Sequence, residues 1–295
     1  MAVNDQKTRT SEGGLLDRYF RLSEHGTTVG RELLAGLTTF LAMGYILFVN
    51  PQILGEAGMD REAVFVATGL AAALSTLVMG LWARYPIALA PGMGVNAFFA
   101  FTVVQGFGIP WQTALAGTLV SGFLIFVLVL TGLREAIINA IPMPLKLATG
   151  AGIGAFIAFI GLRNAEIVVA DESTFVALGD LGKPSTVLAL FGLVATAALL
   201  VKGVRGAVFY GMLLTGAVGV IFGVIEPPSG IVSGVPSLAP TFGQAVTSLP
   251  DLFVGQMLVA IATMMFVDFF DTSGTLIAIA NQAGLLRDGK LPRAR

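Results

Sequence analysis

Apolar runs of roughly bilayer-crossing length alternate with short polar stretches along most of the chain. The runs at about 32–49, 62–82, 111–131, 145–162, 185–201, 207–225 and 251–283 are each read as one span. About 20 apolar residues suffice to cross the hydrocarbon layer as a helix. None of the runs shows the two-residue alternation of a membrane strand, so the spans are helical and the fold class is all-α polytopic membrane protein. Asn50-Pro51 is expected to stop the first span, because the residue before a proline is pushed out of the helical region.

One stretch breaks the pattern. In YPIALAPGMGVNAFFAFTVVQ (85–105), Pro86 and Pro91 bracket an apolar segment, and Gly92 and Gly94 follow. This predicts an extended segment to about Pro91 and a short helix beginning near Gly94. Irregular backbone at membrane depth is tolerated only when it is buried in protein or lines a cavity. A helix starting there exposes free N–H groups and the positive end of its dipole, as in the discontinuous helices with which transporters hold their substrates. Asn96, in the first turn, adds a side chain that both donates and accepts.

The connecting segments are ordinary. Residues 1–12 are polar, and 14–25 (GLLDRYFRLSEH) form an amphipathic helix suited to the headgroup plane, ending at the only histidine, His25, read as solvated. Residues 134–144 read as a short interfacial helix, and 163–184 and 226–250 as polar loops. Gly150, Gly152 and Gly154 spell a GxGxG string, but no strand precedes it and the surroundings are apolar. It is read as a small-residue packing face, not as a nucleotide loop.

Composition agrees. The chain is 55% hydrophobic and 12% charged, against roughly 25% charged in soluble domains. It contains no cysteine, which excludes disulfides and thiolate chemistry. With the N-terminus inside and 85–105 counted as a crossing, fourteen of the 17 Lys and Arg residues fall inside; only Arg61, Arg163 and Lys183 fall outside. This is a strong positive-inside bias. Without that crossing, Arg134, Lys146, Lys202 and Arg205 would move outside.

Of the 18 acids, only Asp268 and Asp271 lie deep in a span. An ionised Asp at the centre of a membrane helix costs about 2.5–3.5 kcal/mol on insertion scales, and a spacing of three puts both on one helix face. Thr272, Ser273, Gly274 and Thr275 continue that face with small polar groups. Such a face is expected to line a polar cavity and to bind a hydrogen-bonding solute, with the half-helix start and Asn96 supplying the complementary groups. Desolvation favours the neutral form of a carboxyl, so the pair also reads as the proton-coupling site. Asp271 is favoured over Asp268 because it lies nearer the Thr272–Thr275 run. Phe98, Phe99, Phe269 and Phe270 could stack on a flat ring, although core or lipid packing is the commoner use of each.

GLTTFLAMGYILFVNPQIL (36–54), ALAPGMGVNAFFAF (88–101) and FVDFFDTSGTL (266–276) together resemble the AzgA-type purine permeases of the nucleobase:cation symporter-2 family. The resemblance runs from about residue 15 onwards. It implies proton-coupled uptake of hypoxanthine, guanine or adenine across the cell membrane, with the N-terminus cytoplasmic and no cofactor, metal or nucleic acid. It also implies fourteen spans in two inverted seven-span repeats, with the third and tenth spans broken around the substrate. On that pattern Asp268, Asp271, Asn96, Gly94 and Thr275 bind substrate, and Asp271 and Asp268 couple the proton. Residues 1–30 form the N-terminus and 31–132 the core-domain spans 1–4. Residues 133–226 form the gate-domain spans 5–7, 227–250 an outer loop, 251–284 span 8 of the core, and 285–295 a tail.

The family pattern continues beyond span 8, including a tenth span with a substrate-binding Glu. The chain is therefore expected to be an incomplete piece, the first repeat plus span 8, that does not transport unless the missing wall is supplied, for example by a homodimer. The alternatives are a uracil or xanthine carrier or an anion carrier of the same fold, and a non-transporting membrane fragment. An intramembrane aspartyl protease would need its two acids on facing helices, so no enzyme is expected.

Overall fold

The computed structural model describes residues 14–131, 143–204, 206–227, 230, 234–253 and 255–284. The polar N-terminus 1–12, most of the interfacial helix expected at 134–144, and the tail 285–295 lie outside these.

Helices form where the apolar runs are. Among the described residues five are long and apolar enough to cross a membrane: Val29–Gly55, Arg61–Ala83, Trp111–Leu130, Pro184–Val201 and Gly255–Thr272. Shorter apolar helices occupy Met93–Gly106, Gly154–Asn164 and Ala207–Ile221. Large apolar side chains such as Leu74, Phe123, Phe126, Leu193 and Phe266 point outward. The interior holds apolar side chains such as Val64, Val103, Met257 and Met264 together with small or polar groups, among them Ala97, Ala100, Ala114, Thr68, Ser121 and Thr186. Outward-facing large apolar residues suit lipid, where small residues let helix backbones approach.

Helix α1 (Leu15–Phe20) lies across the end of the second span. The Tyr19 hydroxyl donates to the Leu81 carbonyl at 2.6 Å, and the Arg84 guanidinium sits 4.7 Å from the Tyr19 ring centroid. Helix α2 (Val29–Met43) starts at a Thr28 cap and ends at Gly44. Helix α3 (Ile46–Gly55) then runs through Pro51, so the expectation that Asn50-Pro51 stops the first span is wrong. A proline removes a single rung. The interruption falls instead at Gly44-Tyr45, where Leu47 N–H bonds the Gly44 carbonyl and Phe48 N–H that of Tyr45.

Helix α4 (Arg61–Val78) is capped by the Asp60 carboxylate, which accepts from the Ala63 N–H at 2.8 Å. It widens into a π-helical turn, Met79–Ala83, and ends at Arg84 in the left-handed region, φ 55°. Residues 85–92 carry no helix. Their central residue Leu89 is held to α4 by one side chain. The Thr76 hydroxyl accepts from the Leu89 N–H at 2.9 Å and donates to its carbonyl at 3.2 Å. Helix α5 (Met93–Ala97) follows Gly92 and continues as a π-helical stretch, Phe98–Gly106, which buries Phe99, Ala100 and Val103.

Helix α6 (Trp111–Leu130) packs along α11 (Gly255–Gln282). Gly117 faces the end of the Met257 side chain, where a Cβ would overlap the terminal methyl unless it moved. Between them in sequence come α7 (Met143–Asn164), α8 (Pro184–Val201), α9 (Ala207–Ile221) and the short α10 (Gln244–Thr247). Helices α8 and α9 pack on each other, and α9 touches α2. The loop expected at 163–184 contains an antiparallel hairpin, β1 (Val168–Asp171) and β2 (Phe175–Leu178), so the fold is mostly, not wholly, helical. The Asp171 carboxylate closes its turn by accepting from the Ser173 and Thr174 N–H groups. Lys183 pairs with Glu166 at 2.8 Å across its base.

Thr76 supplies both partners of a non-helical backbone unit. Thr76→Val should remove this partner from the part-buried Leu89 N–H and carbonyl, at up to roughly 1–3 kcal/mol for each group. The melting temperature in detergent should fall, whereas Thr76→Ser should melt near the parent. An unchanged melt for Thr76→Val would show that the clamp is dispensable.

Candidate polar site at the start of α5

The two acids of α11 are half-buried and one turn apart. Each is matched with a threonine four residues on, which a helix places directly above it. The Thr272 hydroxyl donates to Asp268 Oδ1 at 3.1 Å, and Thr275 bonds the Asp271 carboxyl. The Ser273 side chain lies outside the described residues.

Opposite Asp271 stands the start of α5. A Cβ built on Gly92 would lie 2.8 Å from Asp271 Oδ2, so only glycine admits this approach without a shift. Gly92 is the N-cap of α5 and carries no side-chain cap. The first N–H groups of a helix have no internal partner and bear partial positive charge. Asp271 therefore lies against the N-terminal end of α5. Gly94, expected at the helix start, is buried inside the first turn. Helix α5 touches α3, α7 and α11.

Asn96 follows Gly92 by one turn, with its N–H on the Gly92 carbonyl. Its amide nitrogen donates to Asn50 Oδ1 on α3, and Asn50 Nδ2 donates to the Thr68 hydroxyl on α4 at 2.7 Å. Three polar side chains from three helices thus form one chain of hydrogen bonds. Asn50, Thr68, Thr76 and Gly92 were not singled out as site residues from the sequence. Asn50 was detectable as an amide in the middle of an apolar run; the two threonines were not, because threonine is common in membrane helices.

The aromatic residues divide. Phe99 and Phe269 are buried in the core, 3% and 4% exposed, while Phe98 and Phe270 are half-buried. The Phe269 and Phe270 rings meet edge to face with centroids 6.1 Å apart. A cavity of about 610 Å³ opens between α2, α4 and residues 85–88, lined by Thr39, Phe40, Thr76 and Tyr85 among others. It is mainly apolar, has Glu32 in its lining, and does not include Asp268 or Asp271.

Apolar helices, an inward polar face and a cleft at a helix start define a multi-pass helical membrane protein. Comparison with known proteins narrows this class. The Permease family model matches residues 30–294, and the chain belongs to that family. The guanine/hypoxanthine permease PbuG of Bacillus subtilis is 54% identical over 285 residues, covering 94% of this chain and 65% of PbuG. The guanine/hypoxanthine permease PbuO of the same organism is 44% identical, covering 94% of this chain and 65% of PbuO. The adenine permease AdeP of Escherichia coli is 43% identical, covering 98% of this chain and 64% of AdeP. The chain thus spans just under two thirds of the length of these relatives.

If Gly92 is required by the nearness of Asp271, a methyl group there is costly only while the carboxyl is present. Gly92→Ala should destabilise by roughly 1–3 kcal/mol, the usual cost of overpacking. In an Asp271→Ala background that cost should largely vanish. Strictly additive losses in the two single variants and the double variant would show that the residues do not touch.

Proposed function

We propose that this chain belongs to a proton-coupled uptake system for purine nucleobases and provides one wall of its binding site. The reading rests on one observation above the rest: the uncapped start of α5 at Gly92 faces Asp271. A purine carries donors and acceptors around a flat ring and can bridge free N–H groups and a carboxyl. In this reading Asp268, Asp271, Asn96, Gly94 and Thr275 form the substrate wall. Asp271, which confronts the helix start, exchanges the coupled proton. The names of the relatives, guanine/hypoxanthine and adenine permeases, favour purines as the solute.

The rest of the architecture follows the same reading. Residues 85–105 cross the bilayer once, half extended and half helical. Spans 1–4 and 8 form the core and spans 5–7 the gate, within a plan of two inverted seven-span repeats in the cell membrane. The N-terminus is cytoplasmic, which the distribution of Lys and Arg favours. The contact between α9 and α2 provides a surface along which gate and core meet.

Radiolabelled hypoxanthine uptake in cells lacking purine permeases tests the proposal, with the chain expressed together with any coding sequence that follows residue 295. Uptake should saturate and rise toward acidic pH. Asp271→Asn should reduce it at least tenfold and flatten its pH dependence, at unchanged protein level in the membrane. Parent-like pH dependence in Asp271→Asn, with Asp268→Asn flat, would give the coupling role to Asp268. No saturable purine uptake by the parent would refute the reading.

A further inference from the structure

Helix α4 ends so that one of its carbonyls finds no partner within the helix. The Leu81 carbonyl would serve the N–H of residue 85 in a regular helix or of residue 86 in a widened one. The Tyr85 N–H is bonded to the Met79 carbonyl at 3.2 Å, and Pro86 has no N–H. The Tyr19 hydroxyl of α1 takes that place, donating to Leu81 at 2.6 Å. Arg84 follows in the left-handed region, φ 55°, where a side chain is uncommon. Its guanidinium lies 4.7 Å from the Tyr19 ring centroid. Tyr19 is thereby laid against the outer side of α4. Together they form a groove of about 470 Å³, lined by Tyr19, Leu74, Leu77, Val78, Leu81 and Trp82.

We propose that this groove binds an anionic phospholipid, with an acyl chain along Leu74, Leu77, Val78 and Leu81 and the headgroup phosphate at Arg84. The apolar segment Arg61–Ala83 is long enough to cross the hydrocarbon layer, so Arg84 stands where that layer ends. Trp82, 82% exposed, lies two residues before it, at the depth where an indole suits the headgroup boundary. The groove is therefore apolar along its length and cationic at its rim. Arg18 and Arg21 add exposed positive charge on and beside α1. The acids nearby are engaged. The Asp17 carboxylate accepts from the Ser23 N–H and hydroxyl, each at 2.7 Å, and Glu24 lies 3.8 Å from Arg21. Among the described residues no carboxylate forms an ion pair with Arg84. A planar guanidinium can engage two phosphate oxygens at once. An apolar protein segment would fill the groove but leave the arginine unanswered. The inference concerns the lipid and is independent of the solute.

The test is quenching of Trp82 emission by brominated lipid in phosphatidylcholine vesicles, with the chain expressed together with any coding sequence that follows residue 295. The Trp82 signal is the difference between the parent and Trp82→Phe. Brominated phosphatidylglycerol should occupy the groove about fivefold more tightly than brominated phosphatidylcholine, the worth of one arginine at an anionic surface. Arg84→Gln should bring that ratio close to unity. Arg61→Gln, which removes the same charge from the other end of α4, should leave it unchanged. In the parent, salt at about 1 M should erase the preference, because the screening length falls to about 3 Å. This arm decides the matter even if Arg84→Gln fails to insert. Equal quenching by both lipids in the parent, or the same loss of preference in both arginine variants, would overturn the inference. Negligible quenching by either lipid would show that protein covers the groove. Loss of the preference on adding inorganic phosphate at constant ionic strength would make Arg84 a site for free anions. Each of these last two results overturns it as well.

Discussion

A polar group at bilayer depth has no water to turn to, so each one must find its partner inside the protein. This constraint organises the structure. Two carboxylates sit on α11 where lipid would disfavour them. A stretch of non-helical backbone, 85–92, runs through the same bundle with its own N–H and carbonyl groups to satisfy. The two problems meet at Gly92, the N-cap of α5, which lies against Asp271. Thr272, Thr275 and Thr76 supply further partners, each a short hydroxyl that reaches a neighbour without demanding space.

Packing makes this meeting possible. Helix α11 packs along α6, with Gly117 against the Met257 side chain, while its Asp271 lies against α5. Ala114, Ala260 and Ala97 are fully buried around the same seam. In lipid the drive to bury apolar area between helices is weak, and close fit carries the association. The small residues of the seam therefore support the site indirectly, by fixing the distance between a carboxyl and a helix start.

Much of the architecture is written in local sequence. An apolar run bounded by polar residues marks a helix at membrane depth, and Trp111–Leu130 lies where its run predicts. The acids of α11 are equally plain, because Asp at the centre of an apolar run has few innocent explanations. What escaped is what depends on the surroundings. Pro51 does not end its helix, because one lost rung is tolerable in a packed helix and the interruption moved to Gly44-Tyr45. The hairpin at 168–178 hid in a loop of mixed composition, since strands of four residues leave almost no periodic signal. Thr68 and Thr76 acquire meaning only from residues 18 and 13 positions away in sequence, which only the fold brings close. Gly92 stands beside Gly94 in sequence, and only tertiary contact shows which one approaches Asp271.

The central claim is that the start of α5 lies against Asp271 within the membrane. The chain contains no cysteine, so paired substitutions report on it without background. Gly92→Cys combined with Asp271→Cys should form a disulfide, or a bridge through a short bifunctional reagent, when membranes are oxidised. Gly92→Cys combined with Phe266→Cys, whose side chain faces outward, should not. Efficient cross-linking of the first pair alone is the predicted result. Failure of that pair to cross-link in properly inserted protein, or equal cross-linking of both pairs, would contradict the account.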